Sequence, residues 1–121
     1  MNIDLATLQA SLERLRENSD EIFASALMTR DGMMVVADIA DPSTEDRLAA
    51  MSAAVLSLGE RIADELLQAG TERVMIKSPK GYIVVTAVAK DLLLTVIARF
   101  DAKLGMVFHD IEKVVKELKA I

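Results

Sequence analysis

Two stretches in the second half of the chain, Tyr82 to Ala89 and Leu92 to Ala98, decide most of what it can become. Both are rich in β-branched residues and of strand length. Yet Ile83-Val84-Val85-Thr86-Ala87-Val88 and Leu92-Leu93-Leu94-Thr95-Val96-Ile97 show little of the apolar/polar alternation of a half-solvated strand. A strand that is apolar on both sides must be covered on both sides. Helices are therefore required on each face of whatever sheet these runs build.

The rest of the sequence supplies them. Leu5, Leu8, Leu12 and Leu15 recur at helical spacing behind a capping Asp4, and Asn18-Ser19-Asp20 ends the pattern. Ile22 to Thr29 reads as a strand, Arg30-Asp31-Gly32 as a tight turn, and Met33 to Ala37 as the returning strand. Asp41-Pro42-Ser43-Thr44-Glu45-Asp46 combines a cap, a proline suited to a first turn and acids at the positive end of a helix dipole. A long helix follows to about Ala69, with Gly70 as its stop. Val74 to Ile76 opens a three-stranded meander whose turns are Ser78-Pro79-Lys80-Gly81 and Lys90-Asp91. Leu104 to Leu118 closes the chain as a helix with Val107, Ile111, Val114, Val115 and Leu118 inward and Lys113, Lys116 and Lys119 toward its negative end. The expected architecture is α+β: one five-stranded, mostly antiparallel sheet between helix layers, in the order α-β-β-α-β-β-β-α, with residues 1–121 as a single domain.

Several chemistries are excluded at this level. With no cysteine there is no thiolate metal site and no cysteine nucleophile, and the usage fits a reducing compartment, so the cytoplasm is the expected location. A net charge of −5 and the lack of a basic cluster argue against nucleic acid, since Glu112 and Glu117 interleave with the terminal lysines. No signal peptide is recognisable, because no basic residue precedes Arg14. The longest uncharged run, Leu48 to Gly59, is well short of the ~20 apolar residues that span a bilayer. His109, the single histidine, lies in the last helix with no serine elbow or cysteine to serve, and reads as a surface or half-buried residue. Glu60, Asp64 and Glu65 with Arg61 read as a solvated helix stripe rather than a cation site. Ser78-Pro79-Lys80-Gly81 lacks the glycine spacing of a phosphate loop. No catalytic residue, metal or cofactor is expected.

The long helix carries the functional signal. A helix that covers one sheet needs an apolar stripe little wider than 100°. Here Leu48, Met51, Val55, Leu58, Ile62 and Leu66 form one stripe, and Ala49, Ala53, Leu56, Ala63 and Leu67 form a second beside it. One stripe can pack on the chain's own sheet, and the other asks for a partner. The small residues Ala50, Ser52, Ala53, Ala54, Ser57 and Gly59 would let a second helix approach closely, and Arg73-Val74-Met75-Ile76-Lys77 has the charge and brevity of an edge strand able to pair with its own copy. The expected self-association surface is Met51, Ala54, Val55, Leu58, Gly59 and Ile62 with Val74, Met75 and Ile76. Arg47, Glu60, Arg61 and Asp64, at the ends of the uncharged stretch, are the candidate contacts to another protein.

Taken in order, Ala26-Leu27-Met28-Thr29-Arg30-Asp31-Gly32-Met33-Met34-Val35, the alanine-rich helix Met51 to Leu67, Gly81-Tyr82-Ile83-Val84-Val85-Thr86 and Ala102-Lys103-Leu104-Gly105-Met106-Val107 resemble the Roadblock (dynein-light-chain-like) domains, in particular their bacterial and archaeal MglB-like branch. The resemblance covers nearly the whole chain. It implies a profilin-like sandwich, a homodimer with paired long helices and continuous sheets, and a non-enzymatic partner of a Ras-like small GTPase. MglB-like members stimulate GTP hydrolysis by remodelling the GTPase's own switch regions rather than by inserting an arginine, so no residue is carried over as catalytic. Other relatives are scaffolds in motor, polarity or signalling complexes, which is the alternative reading.

Overall fold

The computed structural model describes residues 4–121, and its elements follow the expected order. Helix α1 (Leu5–Asn18) starts at Asp4, whose carboxylate accepts from the Ala6 amide at 3.0 Å and from the Thr7 hydroxyl at 2.8 Å. Leu8, Leu12 and Leu15 are buried, but Leu5 in the first turn, expected on the same face, is exposed. Strands β1 (Ile22–Thr29) and β2 (Met34–Asp38) flank a turn in which Gly32 takes a φ of +89°. Met33 belongs to that turn, so β2 begins one residue later than expected.

A 3-10 turn at Pro42–Thr44 leads into helix α2 (Glu45–Leu67). Gly70 does not stop α2. Gln68 does, in the left-handed conformation at φ 54°, with its amide donating to the Asp64 carbonyl at 3.0 Å. Strands β3 (Arg73–Ser78), β4 (Gly81–Ala89) and β5 (Leu92–Arg99) make the meander, and helix α3 (Leu104–Lys119) follows. The sheet order is β2-β1-β5-β4-β3, with every neighbouring pair antiparallel.

The missing alternation has its expected cause. In β4 Val84 faces α1 and α3 while Val85 faces α2, and in β5 Leu94 and Leu93 divide in the same way. One core lies between the sheet and the α1/α3 layer around Leu12, Leu27, Val96, Val107 and Ile111. The other lies beneath α2 around Ala26, Met28, Ala49, Ala53 and Leu56. Its buried Thr95 hydroxyl is satisfied within it, since Thr95 Oγ1 donates to Ser52 Oγ at 2.9 Å and also approaches Met28 Sδ at 3.6 Å.

Helices α1 and α3 are fastened by polar contacts at their shared rim. Ser19 Oγ donates to Asp110 at 2.8 Å, Ser11 Oγ donates to Glu117 Oε1 at 3.0 Å, and the Arg14 guanidinium closes on the same carboxylate. That Arg14 hydrogen bond holds the Glu117 carboxyl below its ordinary range. A depressed folded-state pKa stabilises above the unfolded value, and the stabilisation is lost as pH falls through the folded one. The pair is partly exposed, so the effect is below about 1 kcal/mol. Glu117→Gln is therefore expected to lie slightly below the parent in urea unfolding at pH 7, and the two curves should converge below about pH 4. A gap that persists in acid would assign it to packing instead.

The two sheet edges are treated differently. At β2, Gln9 Nε2 donates to the Ala37 carbonyl at 2.9 Å and Arg16 pairs with Asp38 at 2.6 Å, so α1 caps that edge. At β3, among the described residues, no other element hydrogen-bonds to the outer side of Val74 to Lys77.

Candidate functional site

Which of α2's two stripes meets the sheet is settled by size. Ala49, Ser52, Ala53 and Leu56 are buried, and three of these four are small because the helix lies close on β1, β4 and β5. The larger stripe faces outward, with Met51 63% and Leu58 57% exposed and Ile62 beside them. Helices α1 and α3 lie on the opposite face of the sheet and do not cover it.

Three expected interface residues turn inward to different degrees. A Cβ on Gly59 would stand 2.6 Å from Val74 Cγ2, so this glycine makes room for the chain's own β3 and not for a second helix. Val74 is correspondingly half-buried beneath α2, and Val55 is half-buried against the same core. Met51, Ala54, Leu58 and Ile62 remain exposed on α2, as do Met75 and Ile76 on β3.

The exposed helix stripe continues onto bare sheet. Ile76 pairs with Ile83 and Ile83 with Ile97, forming a cross-strand row on the α2 side that α2 leaves uncovered or half-covered. Where the row reaches β1, Phe23, Ile39, Leu48, Met51 and Ile97 line an open groove of about 480 Å³ with Arg47 at its rim. Phe23 is the residue the sequence reading missed. A bulge between Ile22 and Ala24 turns it outward, half exposed, and an irregularity of pairing leaves no mark in the apolar run Ile22 to Thr29.

The four candidate partner contacts do not converge. Arg47 and Glu60 are about 20 Å apart along the helix at ~1.5 Å per residue. Glu60 accepts from Arg30 Nη1 at 2.8 and 3.1 Å, Arg61 approaches Glu65 at 3.6 Å in solvent, and Asp64 is exposed. Arg47 forms no ion pair among the described residues. His109 is exposed on α3, away from this face, and Ser78 to Gly81 is the β3–β4 hairpin turn. Among the described residues no three His, Asp or Glu side chains are placed to hold a metal, and no helix is long and apolar enough to cross a membrane.

The family model of the Roadblock/LC7 domain matches residues 8–98, from α1 to the end of β5. This chain belongs to the Roadblock/LC7 family. Among solved structures, the Roadblock/LC7 domain from Streptomyces avermitilis superposes with a TM-score of 0.87 at 18% identity, covering 93% of this chain and 94% of that one. MglB of Myxococcus xanthus gives 0.87 at 18% identity over 98% and 89% of the two chains. Profilin from Schizosaccharomyces pombe gives 0.69 at 16% identity over 93% and 96%, which places the Roadblock sandwich among profilin-like folds. No curated protein matches this Roadblock chain by sequence. At these identities the superpositions establish the fold, and the surface of α2 has to be read on its own chemistry.

Proposed function

We propose that this Roadblock protein is a cytoplasmic homodimer, with residues 1–121 as one unit, that binds the switch region of a Ras-like small GTPase and stimulates GTP hydrolysis without contributing a catalytic residue. The observation that carries the reading is a single apolar surface, running from the outward stripe of α2 onto Ile76 at the open edge of β3. Monomeric proteins rarely leave such a surface bare. Two copies of β3 pairing antiparallel across a two-fold axis join the sheets, and the same axis brings together Met51, Ala54, Leu58 and Ile62 from both helices, with Ile76 beneath the junction and Met75 on the opposite face of the joined sheet. Val55, Gly59 and Val74 support this surface from behind.

The joined helices form a platform for the GTPase, and Arg47, Arg61, Asp64 and Glu60 border it. Such a regulator needs no acid or base of its own. It works by binding one switch conformation better than the other, and tenfold preference corresponds to about 1.4 kcal/mol. The likeness in fold to MglB supports this branch of the family.

The test is capture of Ras-like GTPases on the immobilised protein in two parallel arms, one with a non-hydrolysable GTP analogue and one with GDP. Preferential capture with the analogue, by about tenfold or more, and faster single-turnover hydrolysis are expected. Equal capture in both arms with unchanged hydrolysis would make the protein a scaffold. No binding in either arm would overturn the GTPase reading.

A further inference from the structure

Pairing through β3 engages the edge of the sheet and its α2 side, and leaves the other side of that edge bare. Cross-strand partners share a face, and Met75 pairs with Val84, which lies in the core beneath α1 and α3. By the same register Arg73 and Lys77 stand on that side with it. Helix α3 stops short of them, because Val107 and Ile111 seat it in the core over Val84 and Val88 of β4 and Val96 of β5. Met75 is accordingly 42% exposed, and Tyr82 and Phe108 on the same side are only partly buried.

Charge on this strip is as uneven as its cover. Phe108, Glu112, Lys116 and Lys119 recur at helical spacing along one side of α3. That side is the one toward β3, since the Arg73 guanidinium lies over the Phe108 ring at 5.1 Å and donates to Glu112 at 2.6 Å and to the Thr86 hydroxyl at 3.2 Å. Arg73 thus neutralises Glu112, whereas Lys77, Lys116 and Lys119 form no ion pair among the described residues. Glu72 stands at the far end of the strip. On a chain whose net charge is −5, cations outnumber carboxylates here.

Resting on the dimer reading above, we infer that the joined sheet carries a second docking surface on its α3 side, whose occupant is one amphipathic helix of another protein, acidic along its flanks. The space has the width of a helix. With α3 over β4 and β5, the two α3 axes stand four strand spacings apart, about 19 Å at ~4.8 Å each. One helix laid between them needs about 16 to 20 Å, which is twice the usual interaxial distance. Backbone chemistry selects a helix over an extended peptide. Both β3 strands have spent their edge bonds on the junction, so a strand lying across this floor would leave its own amides unpaired, while a helix satisfies its own. A bilayer is flat and does not reach a floor set below two helices. Apolar residues of the incoming helix meet Met75 and Phe108, and its carboxylates meet the lysines of both walls. The two-fold axis passes through the trough, so one helix serves two chains.

The probe is a synthetic peptide of about 20 residues, ~30 Å long as a helix, with leucines at helical spacing and glutamates on both flanks. Its control carries lysines in place of the glutamates. Calorimetry on the full chain is expected to show the glutamate peptide bound at one per two chains, about tenfold or more tighter than the control. Lys116→Glu combined with Lys119→Glu should weaken that binding about tenfold at unchanged solution mass, because both lysines are exposed on α3 and lie outside the β3 junction. Equal binding of the two peptides, one peptide per chain, or indifference to the lysine reversals would overturn the inference. So would absence of binding by a protein of two-chain mass, which leaves the dimer reading standing. A solution mass of one chain would overturn the dimer reading and this inference with it.

Discussion

Leu58→Glu is expected to give a folded protein of half the parent's solution mass. Leu58 is largely exposed within one copy, so the substitution removes little from either core. In the proposed dimer it lies near the two-fold axis, where two carboxylates would face each other out of water. A buried, unpaired charge costs several kcal/mol, and the like-charge repulsion adds to it. Light scattering and circular dichroism together make the check. A dimer of unchanged mass would remove Leu58 from the interface. Val55→Glu is less clean, because Val55 is half-buried against the core under α2 and its replacement by an acid would damage the fold as well.

The second large effect concerns the fold alone. Gly81 opens β4 with φ at +157°, and a Cβ there would stand 2.6 Å from the carbonyl oxygen of Ala98 on β5. Backbone cannot yield as a flexible side chain does, and Ala98 is fully buried. Gly81→Ala is expected to destabilise by about 3 kcal/mol, combining backbone strain with overpacking, and to lower Tm by about 10 °C. Gly105→Ala is the matched control, because nothing lies within 4 Å of its added Cβ and α3 gains a better helix former. Its Tm should be unchanged or slightly higher. Equal losses in the two variants would mean that the contact with Ala98 is not what makes Gly81 necessary.

Element order was legible because it is written in periodicity and turn chemistry, whereas β2 runs one residue later and β3 is longer than the apolar runs that marked them. Leu8, Leu12 and Leu15 marked the face of α1, and the unalternating Val84-Val85 and Leu93-Leu94 pairs marked strands buried on both sides. What the sequence left open depends on contacts between distant segments. Both stripes of α2 are apolar, and only the closeness of helix to sheet selects the small one, Ala49, Ser52 and Ala53, as the inner face. Gly59 reads as a gap for a neighbour, but which neighbour is settled by Val74, fifteen positions later. Gln68 ends α2 two residues before the glycine that looked like its stop, since a non-glycine residue adopts the left-handed conformation when its amide gains the Asp64 carbonyl. Phe23 was invisible for the same reason: a bulge is an event of pairing, not of composition.

The unequal edges of the sheet have a consequence for how many copies can join. Gln9 bonds the Ala37 carbonyl and Arg16 pairs with Asp38 at β2, which leaves β3 as the edge to which no other element hydrogen-bonds among the described residues. Units with one sticky end saturate in pairs, whereas units with two would propagate into open filaments. For the proposed dimer, the cap contributed by α1 acts as a chain terminator that holds the valence of the building block at one.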